Sequence, residues 1–501
     1  MRTLELVQLA LVVATVAIPV ALGRRFRRGR MAVLLVGSMV AQLVFEGYRW
    51  QLLLLEIATL LLAAGDALWE ERRFRGFIRL RRGALGVVGL TLAALPPFVL
   101  PVPQLPEPTG AFAVGTATFV VVDDGREEVY GLPEPDPEAE QPPAPEGDEE
   151  QGLLPPRRIV VQVWYPAQPA EDATALPWNP DLDVVGPALS ERLGFPGFFL
   201  SHTSGVLSSS LPAAVPLEGE FPLVLSSHGW SGFRTINLNQ IESLASQGFV
   251  VVAPDHTYGS IAVRFPDDGS VVYLDERALP LNQQASEQLT EEAAEQAPAE
   301  DTVDAEAYQE ASELLVETFA GDLAVIIDRM EEGAAGTFGA IADHVDLDHI
   351  GVFGHSTGGG AAARLCLEDD RCDAVLGMDA WVEPIPDSIV AKEFRVPSLF
   401  IRSEDWTGTP NDRRLRGLAE RSPSLSYWVG IAGAGHNDFV MTPLFSPIAD
   451  RLGLKGPIDT ERVVPIIDSY LVAFFDRYLL GIGGSALDAP PPPEVELELI
   501  P

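Results

Sequence analysis

The chain has 501 residues, 47% of them hydrophobic, with 72 acidic against 34 basic side chains and a formal net charge of −38. The charge is unevenly divided: residues 1–101 hold 13 arginines against 6 acidic residues, a net of +7, and the remainder 66 acidic against 21 basic, a net of −45. So acidic a remainder excludes nucleic-acid binding through phosphates, and two cysteines with no histidine nearby do not make a zinc site.

Four apolar stretches open the chain. "LELVQLALVVATVAIPVAL" (4–22) and "GALGVVGLTLAALPPFVLPV" (83–102) are each long enough to cross a bilayer. Between them lie "MAVLLVGSMVAQLVF" (31–45), which is short, and "QLLLLEIATLLLAAGDALW" (51–69); the pair either spans or forms a re-entrant hairpin. The apolar segments that follow residues 1–22 argue against a cleaved signal peptide there. Glu56 and Asp66 are expected at helix ends or paired within a bundle rather than on a transport path. Arginine clusters at 24–30 and 71–82 assign both flanks to the cytoplasm, so the acidic part is expected on the extracytoplasmic side of the cell membrane. Residues 1–102 are thus read as a multi-pass helical segment of about four spans whose partner is the lipid bilayer.

Residues 103–485 read as one α/β domain, and 486–501 as a proline-rich acidic tail with no core to join. Strands are expected at 111–124 and 157–167, separated by a solvated acidic loop at 125–152. Strands at 221–229, 249–256, 374–381 and 398–406, and one ending in "IGVFGHS", alternate with helices at 239–248 and 319–332, and a helix at 463–480 closes the domain. Such alternation predicts a mostly parallel sheet with helices on both faces. An acidic insertion at 257–318 breaks the rhythm on the edge where ligands bind such sheets, and is either a cap over the site or a charged surface insertion. Cys366 and Cys372 lie close enough in sequence to pair in an oxidising compartment, or to stay as two buried thiols.

The chemistry centres on "GVFGHSTGGGAAARL" (351–365), where an apolar run ends in Gly354-His355-Ser356-Thr357-Gly358 and a small-residue helix follows. This G-x-S-x-G pattern is a strand-to-helix elbow that lifts a serine hydroxyl into the open. A serine needs a base, and the base an acid that holds its tautomer. Of the seven histidines (202, 228, 256, 344, 349, 355 and 436), only His436, in the glycine-flanked "IAGAGHNDF", follows Ser356. For the acid, Asp379 ends one strand and Glu404 and Asp405 the next, and the pattern leaves the choice open. An oxyanion hole needs backbone N–H donors. Thr357 after the nucleophile and Trp230 in "SSHGWSGFRT" (226–235) are the candidates, with the indole placed to wall the pocket.

"SSHGWSGFRTINLNQIESLASQGFVVVAPDH", "GHSTGG", "GMDAWVEPI", "FIRSEDW" and "GHNDF" together resemble the platelet-activating factor acetylhydrolase family, over most of residues 110–480. The resemblance implies an α/β-hydrolase that cleaves short-acyl or phospholipid-like esters with no cofactor and no metal. It makes Ser356 the nucleophile, Asp379 of "DAW" the acid and His436 the base, with Trp230 and Thr357 at the oxyanion hole. The rival enzyme is a cutinase- or polyesterase-like hydrolase, or a general lipase or esterase, using Asp405. The rivals outside that class are a catalytically silent membrane sensor or scaffold, and a transporter with an accessory hydrolase.

Overall fold

A computed structural model describes residues 1–22, 30–68, 89, 91–131, 154–169, 173–279 and 305–501. Most of both arginine clusters, the start of the apolar stretch 83–102, the body of the acidic loop and residues 280–304 of the insertion lie outside these. The chain divides into two units. One comprises Met1–Gln104 with Leu200–Val206 and Leu444–Arg451, the other Leu105–Phe199, Leu207–Pro443 and Leu452–Pro501.

In the first unit, α1 (Thr3–Leu22), α2 (Arg30–Phe45) and α3 (Leu53–Leu68) pack around Val12, Leu35, Leu52, Leu55 and Ala63. One helix among the described residues, Trp50–Ala67, is long and apolar enough to cross a membrane, whereas Thr3–Ile18 and Arg30–Phe45 are apolar but shorter. Some of the polar groups inside pair with one another. Arg49 bonds Glu5 in a buried bridge (Nε to Oε1, 3.0 Å), and Gln8 donates to Thr59 (3.0 Å). Asp66 takes up the first-turn N–H of Ala32 on α2 (3.2 Å), a local structural use for a carboxylate in an apolar run.

The second unit is built on a ten-stranded sheet of order β12-β11-β10-β9-β8-β4-β5-β2-β1-β3. Its strands are β1 (Ala113–Glu127), β2 (Pro156–Ala167), β3 (Ser210–Pro212), β4 (Phe221–Ser227) and β5 (Val250–Asp255). A separate hairpin, β6 (Ala262–Arg264) with β7 (Val271–Tyr273), follows. The sheet continues with β8 (Val345–His355), β9 (Ala374–Met378), β10 (Ser398–Arg402), β11 (Ser426–Ile431) and β12 (Val495–Ile500). The centre, from β11 to β5, is parallel, while β12, β2 and β1 run antiparallel to a neighbour. The period-2 alternation of β8 assigns its faces. Ile350 and Val352 join the large core cluster under α6 (Ala305–Glu331) and α7 (Thr357–Glu368), where Leu323, Ile326 and Leu365 lie. Phe353, one residue out of phase, meets Phe475 of α9 (Thr460–Tyr478) at 6.3 Å on the opposite face. Among the described residues, the remaining helices of ten residues or more are α4 (Leu182–Arg192), α5 (Leu238–Gln247) and α8 (Pro410–Arg421).

Two expectations need correction. The tail does have a core to join: β12 pairs antiparallel with β11 from Ser426↔Ile500 to Ile431↔Val495. Its "VELELI" segment buries Val495 and Ile500, while Arg416 on α8 clamps Glu498 (2.6 and 2.7 Å). Four prolines in a row mask that short alternating strand in the sequence. The insertion is also less foreign than its composition suggests. Residues 262–273 form the β6–β7 hairpin, and α6 runs from Ala305 straight into the helix expected at 319–332. Cys366 and Cys372, bridging the end of α7 to the start of β9, form a disulfide with Cα atoms 5.2 Å apart.

Candidate active site

The parallel strands β4, β8, β9 and β10 end together, and their C-terminal loops carry the chemistry. Ser356 leaves β8 at φ +54°, ψ −121°, a conformation costly for a non-glycine residue. Three backbone bonds hold it there: Ser356 N–H to Met378 O (3.0 Å), and Gly360 and Trp381 N–H to Ser356 O (3.0 and 2.9 Å). The elbow glycines are forced by contact. A Cβ on Gly354 would sit 2.2 Å from Gly358 O, and one on Gly358 2.2 Å from Ser227 O.

His436 lies in the turn after β11. Its Nδ1 is 2.9 Å from Asp379 Oδ2, and its side chain keeps 26% exposure while that carboxylate is sealed. Asp379 itself leaves β9 at φ +43° and is held by Ser403, whose N–H donates to Oδ1 (2.8 Å) and whose hydroxyl donates to Oδ2 (2.5 Å). With both oxygens engaged by Ser403, the carboxylate is fixed in orientation. Asp405 takes a different place, its Oδ2 accepting the backbone N–H of His436 (2.7 Å). It supports the histidine loop, while Asp379 meets the imidazole. Glu404 is exposed and enters the turn through its N–H, which donates to Ala434 O (2.9 Å).

Three contributors were missed by sequence reasoning. Trp406 stacks face to face on the His436 ring, 4.7 Å between centroids with planes 2° apart. Ser403 is a one-atom anchor beyond the end of a strand, with no motif to mark it. His355 was visible only as the variable residue of the elbow pattern; its Nε2–H donates to His436 O (2.9 Å). Burial, and then the neighbouring His436, push His355 well below the ordinary histidine range, so it remains a neutral prop.

Trp230 follows Gly229 in the loop after β4. A Cβ on Gly229 would lie 3.1 Å from the Ser356 Cβ, so this loop abuts the elbow directly. Trp230 is half-buried and packs against the main core cluster, and Thr357 is buried at the first turn of α7. Every residue predicted for the site therefore falls on one edge of the sheet, and of the three candidate acids Asp379 is the one bonded to the His436 ring.

A parallel-centred sheet with a strained serine elbow and a histidine–aspartate pair beyond it defines the α/β-hydrolase class. The fold is shared with a ferulic acid esterase from Streptomyces cinnamoneus (TM-score 0.56, 24% identity, covering 79% of this chain and 99% of that one). Residues 104–481 match the family described as platelet-activating factor acetylhydrolase, isoform II, and the chain belongs to that family. Among relatives, platelet-activating factor acetylhydrolase of Bos taurus is 28% identical over 344 residues, 64% of this chain and 71% of its own. That of Canis lupus familiaris is 26% identical over 342 residues, with the same coverage. The chain is a carboxylic ester hydrolase.

Proposed function

We propose that the enzyme hydrolyses short-acyl, lipid-like esters through an acyl-enzyme on Ser356. The His436 Nδ1–Asp379 bond at 2.9 Å carries this reading, because it commits Nδ1 to donate and leaves Nε2 as the free base. In the reaction Nε2 removes the Ser356 proton as Oγ adds to the ester carbonyl carbon. The N–H groups of Trp230 and Thr357 bind the oxyanion, and the imidazolium returns the proton to the departing alcohol oxygen. Water, activated by the same imidazole, then adds to the acyl carbon and releases the acid and Ser356. The acetyl-sized substrate is inferred from the activity in the relatives' name.

The N-terminal unit is read as the membrane anchor, with residues 103–485 extracytoplasmic. The apolar helix at 50–67, the arginine-rich flanks and the Cys366–Cys372 disulfide favour that arrangement.

Two experiments test the proposal. Full-length protein is assayed against p-nitrophenyl esters of increasing chain length, alongside labelling by a fluorophosphonate. Acetyl to butyryl esters are expected to turn over fastest, with the label on Ser356; preference for long chains removes the short-acyl reading, and a label elsewhere removes the nucleophile. A reporter fused after residue 120 tests the orientation, and cytoplasmic activity would invert it.

A further inference from the structure

Beneath the loop that carries Trp230 lies a sealed chain of polar side chains with no place in the reaction above. Residues 229–232 form a turn closed by Gly232 N–H to Gly229 O (2.9 Å), with Ser231 at φ +59°. The Gly229 carbonyl has a second donor, the His228 ring, whose Nδ1 is 2.7 Å away. A carbonyl only accepts, so His228 carries its proton on Nδ1 and its Nε2 is an acceptor. The surroundings agree: Nε2 lies 2.8 Å from Ser260 Oγ and 3.3 Å from the backbone nitrogen of His256, both able to donate.

His256 is fixed in turn. Its Nδ1 donates to Asp322 Oδ2 (2.9 Å), its Nε2 accepts from Ser227 Oγ (2.9 Å), and its ring stacks on Phe319 at 3.7 Å. Arg157 closes the chain, donating to both oxygens of Asp322 (2.6 and 2.7 Å). Ser227, His256 and Asp322 thus repeat the catalytic donor–acceptor order, but they are 1%, 0% and 0% exposed, beyond the reach of any substrate. Burial, and then His256, hold His228 well below the usual histidine range, so the ring stays neutral in its single tautomer.

The geometry points to His228 as a positioning residue for acyl transfer, one that aims the Trp230 N–H at the oxyanion. A trans peptide holds its C=O and N–H on opposite sides. Two donors pinning the Gly229 carbonyl therefore point the Trp230 N–H the other way, and as second residue of the turn Trp230 has no part in closing it. The Gly229 backbone already adjoins Ser356, within the 3.1 Å reach of an added Cβ. The buried relay behind His228 keeps its proton on the nitrogen this task needs. This inference rests on the reading of Ser356 as the nucleophile.

The test uses the full-length enzyme and p-nitrophenyl acetate. An asparagine amide nitrogen takes the place of Nδ1, and a glutamine amide that of Nε2. His228→Gln is expected to lower kcat on the order of 10²-fold, the loss typical of one oxyanion donor, with KM nearly unchanged. His228→Asn should recover most of that loss. Affinity for a trifluoromethyl ketone, which binds serine as an oxyanion adduct, should fall in His228→Gln by the factor seen in kcat. Ser260→Ala, which deletes one donor to Nε2, should lower kcat several-fold. Wild-type kcat in both His228→Gln and Ser260→Ala, or equal losses in His228→Asn and His228→Gln, would overturn the inference. Retained turnover in Ser356→Ala would instead overturn the reading on which it rests.

Discussion

Two groupings of serine, histidine and aspartate sit within one domain, alike in their histidine–aspartate bond and opposite in circumstance. In the first, Ser356 and Asp379 leave their strands at positive φ, and His436 keeps a quarter of its side chain exposed. In the second, Ser227 ends β4, and His256 and Asp322 are fully enclosed. The acids differ as well. Asp379 is held by the Ser403 N–H and hydroxyl, whereas Asp322 is shared among His256, Arg157 and Arg126. Hydrogen-bond order alone therefore does not make a nucleophile. On the proposed mechanism, access and a carboxylate without an arginine partner separate the reacting set from the structural one.

The largest contrast lies in the serines. Ser356→Ala is expected to cut kcat by about 10⁴–10⁶, in line with other triads, while Ser227→Ala stays within about tenfold. Ser227→Ala should instead lower the unfolding free energy by about 1–3 kcal/mol in urea titration, because a buried imidazole acceptor loses its donor. Comparable kcat losses in both variants would erase the distinction drawn above.

The acids give the next contrast. Asp379→Asn should lower kcat by about 10⁴ by disturbing the His436 tautomer. Asp405→Asn keeps an oxygen for the His436 N–H and should cost no more than about tenfold, the scale of one weakened hydrogen bond. A reversed ranking in steady-state assays would return the catalytic role to Asp405. Asp322→Asn acts on stability: it leaves Arg157 buried with a weaker counter-charge, so denaturant titration should show a loss of about 3–5 kcal/mol.

The smallest effect compares two buried carboxylates over pH. Burial raises Asp322, but Arg157 and His256 outweigh it and hold the group far below the usual aspartate range. Its contribution to stability is full above the unfolded pKa, declines progressively as pH falls below that value, and is gone in strong acid. Asp468 on α9 is also buried, with Asn239 Nδ2 at 3.2 Å, and burial pushes it up to about 7. Its neutral form favours the folded state, so its contribution is full below about pH 4 and is lost as pH rises through about 7. Asp468→Asn should therefore raise Tm relative to the wild type at pH 8 and bring the two together near pH 4. Parallel Tm–pH curves for the two proteins would show that Asp468 is ionised in the fold.

The sheet was legible in "VQVWYPA", "FPLVLSS", "VVVAPD" and "IGVFGH" because apolar and β-branched runs between glycines and polar turns leave little choice of element. Ser356 and His436 were legible for related reasons: an elbow demands glycines at two fixed places, and one histidine follows it in the chain. The tail strand and the long α6 were not, since charge and proline composition hide a short period-2 segment and a helix boundary. The choice among Asp379, Glu404 and Asp405 also lay beyond spacing. All three leave the same sheet edge, and which one reaches the ring depends on the turn at Asp379 and the placement of Ser403, one strand away. The second serine–histidine–aspartate set was invisible for the same reason. Its members stand 29 and 66 residues apart, and only the packing of α6 against β4 and β5 brings their donors and acceptors within 3 Å while shutting out water.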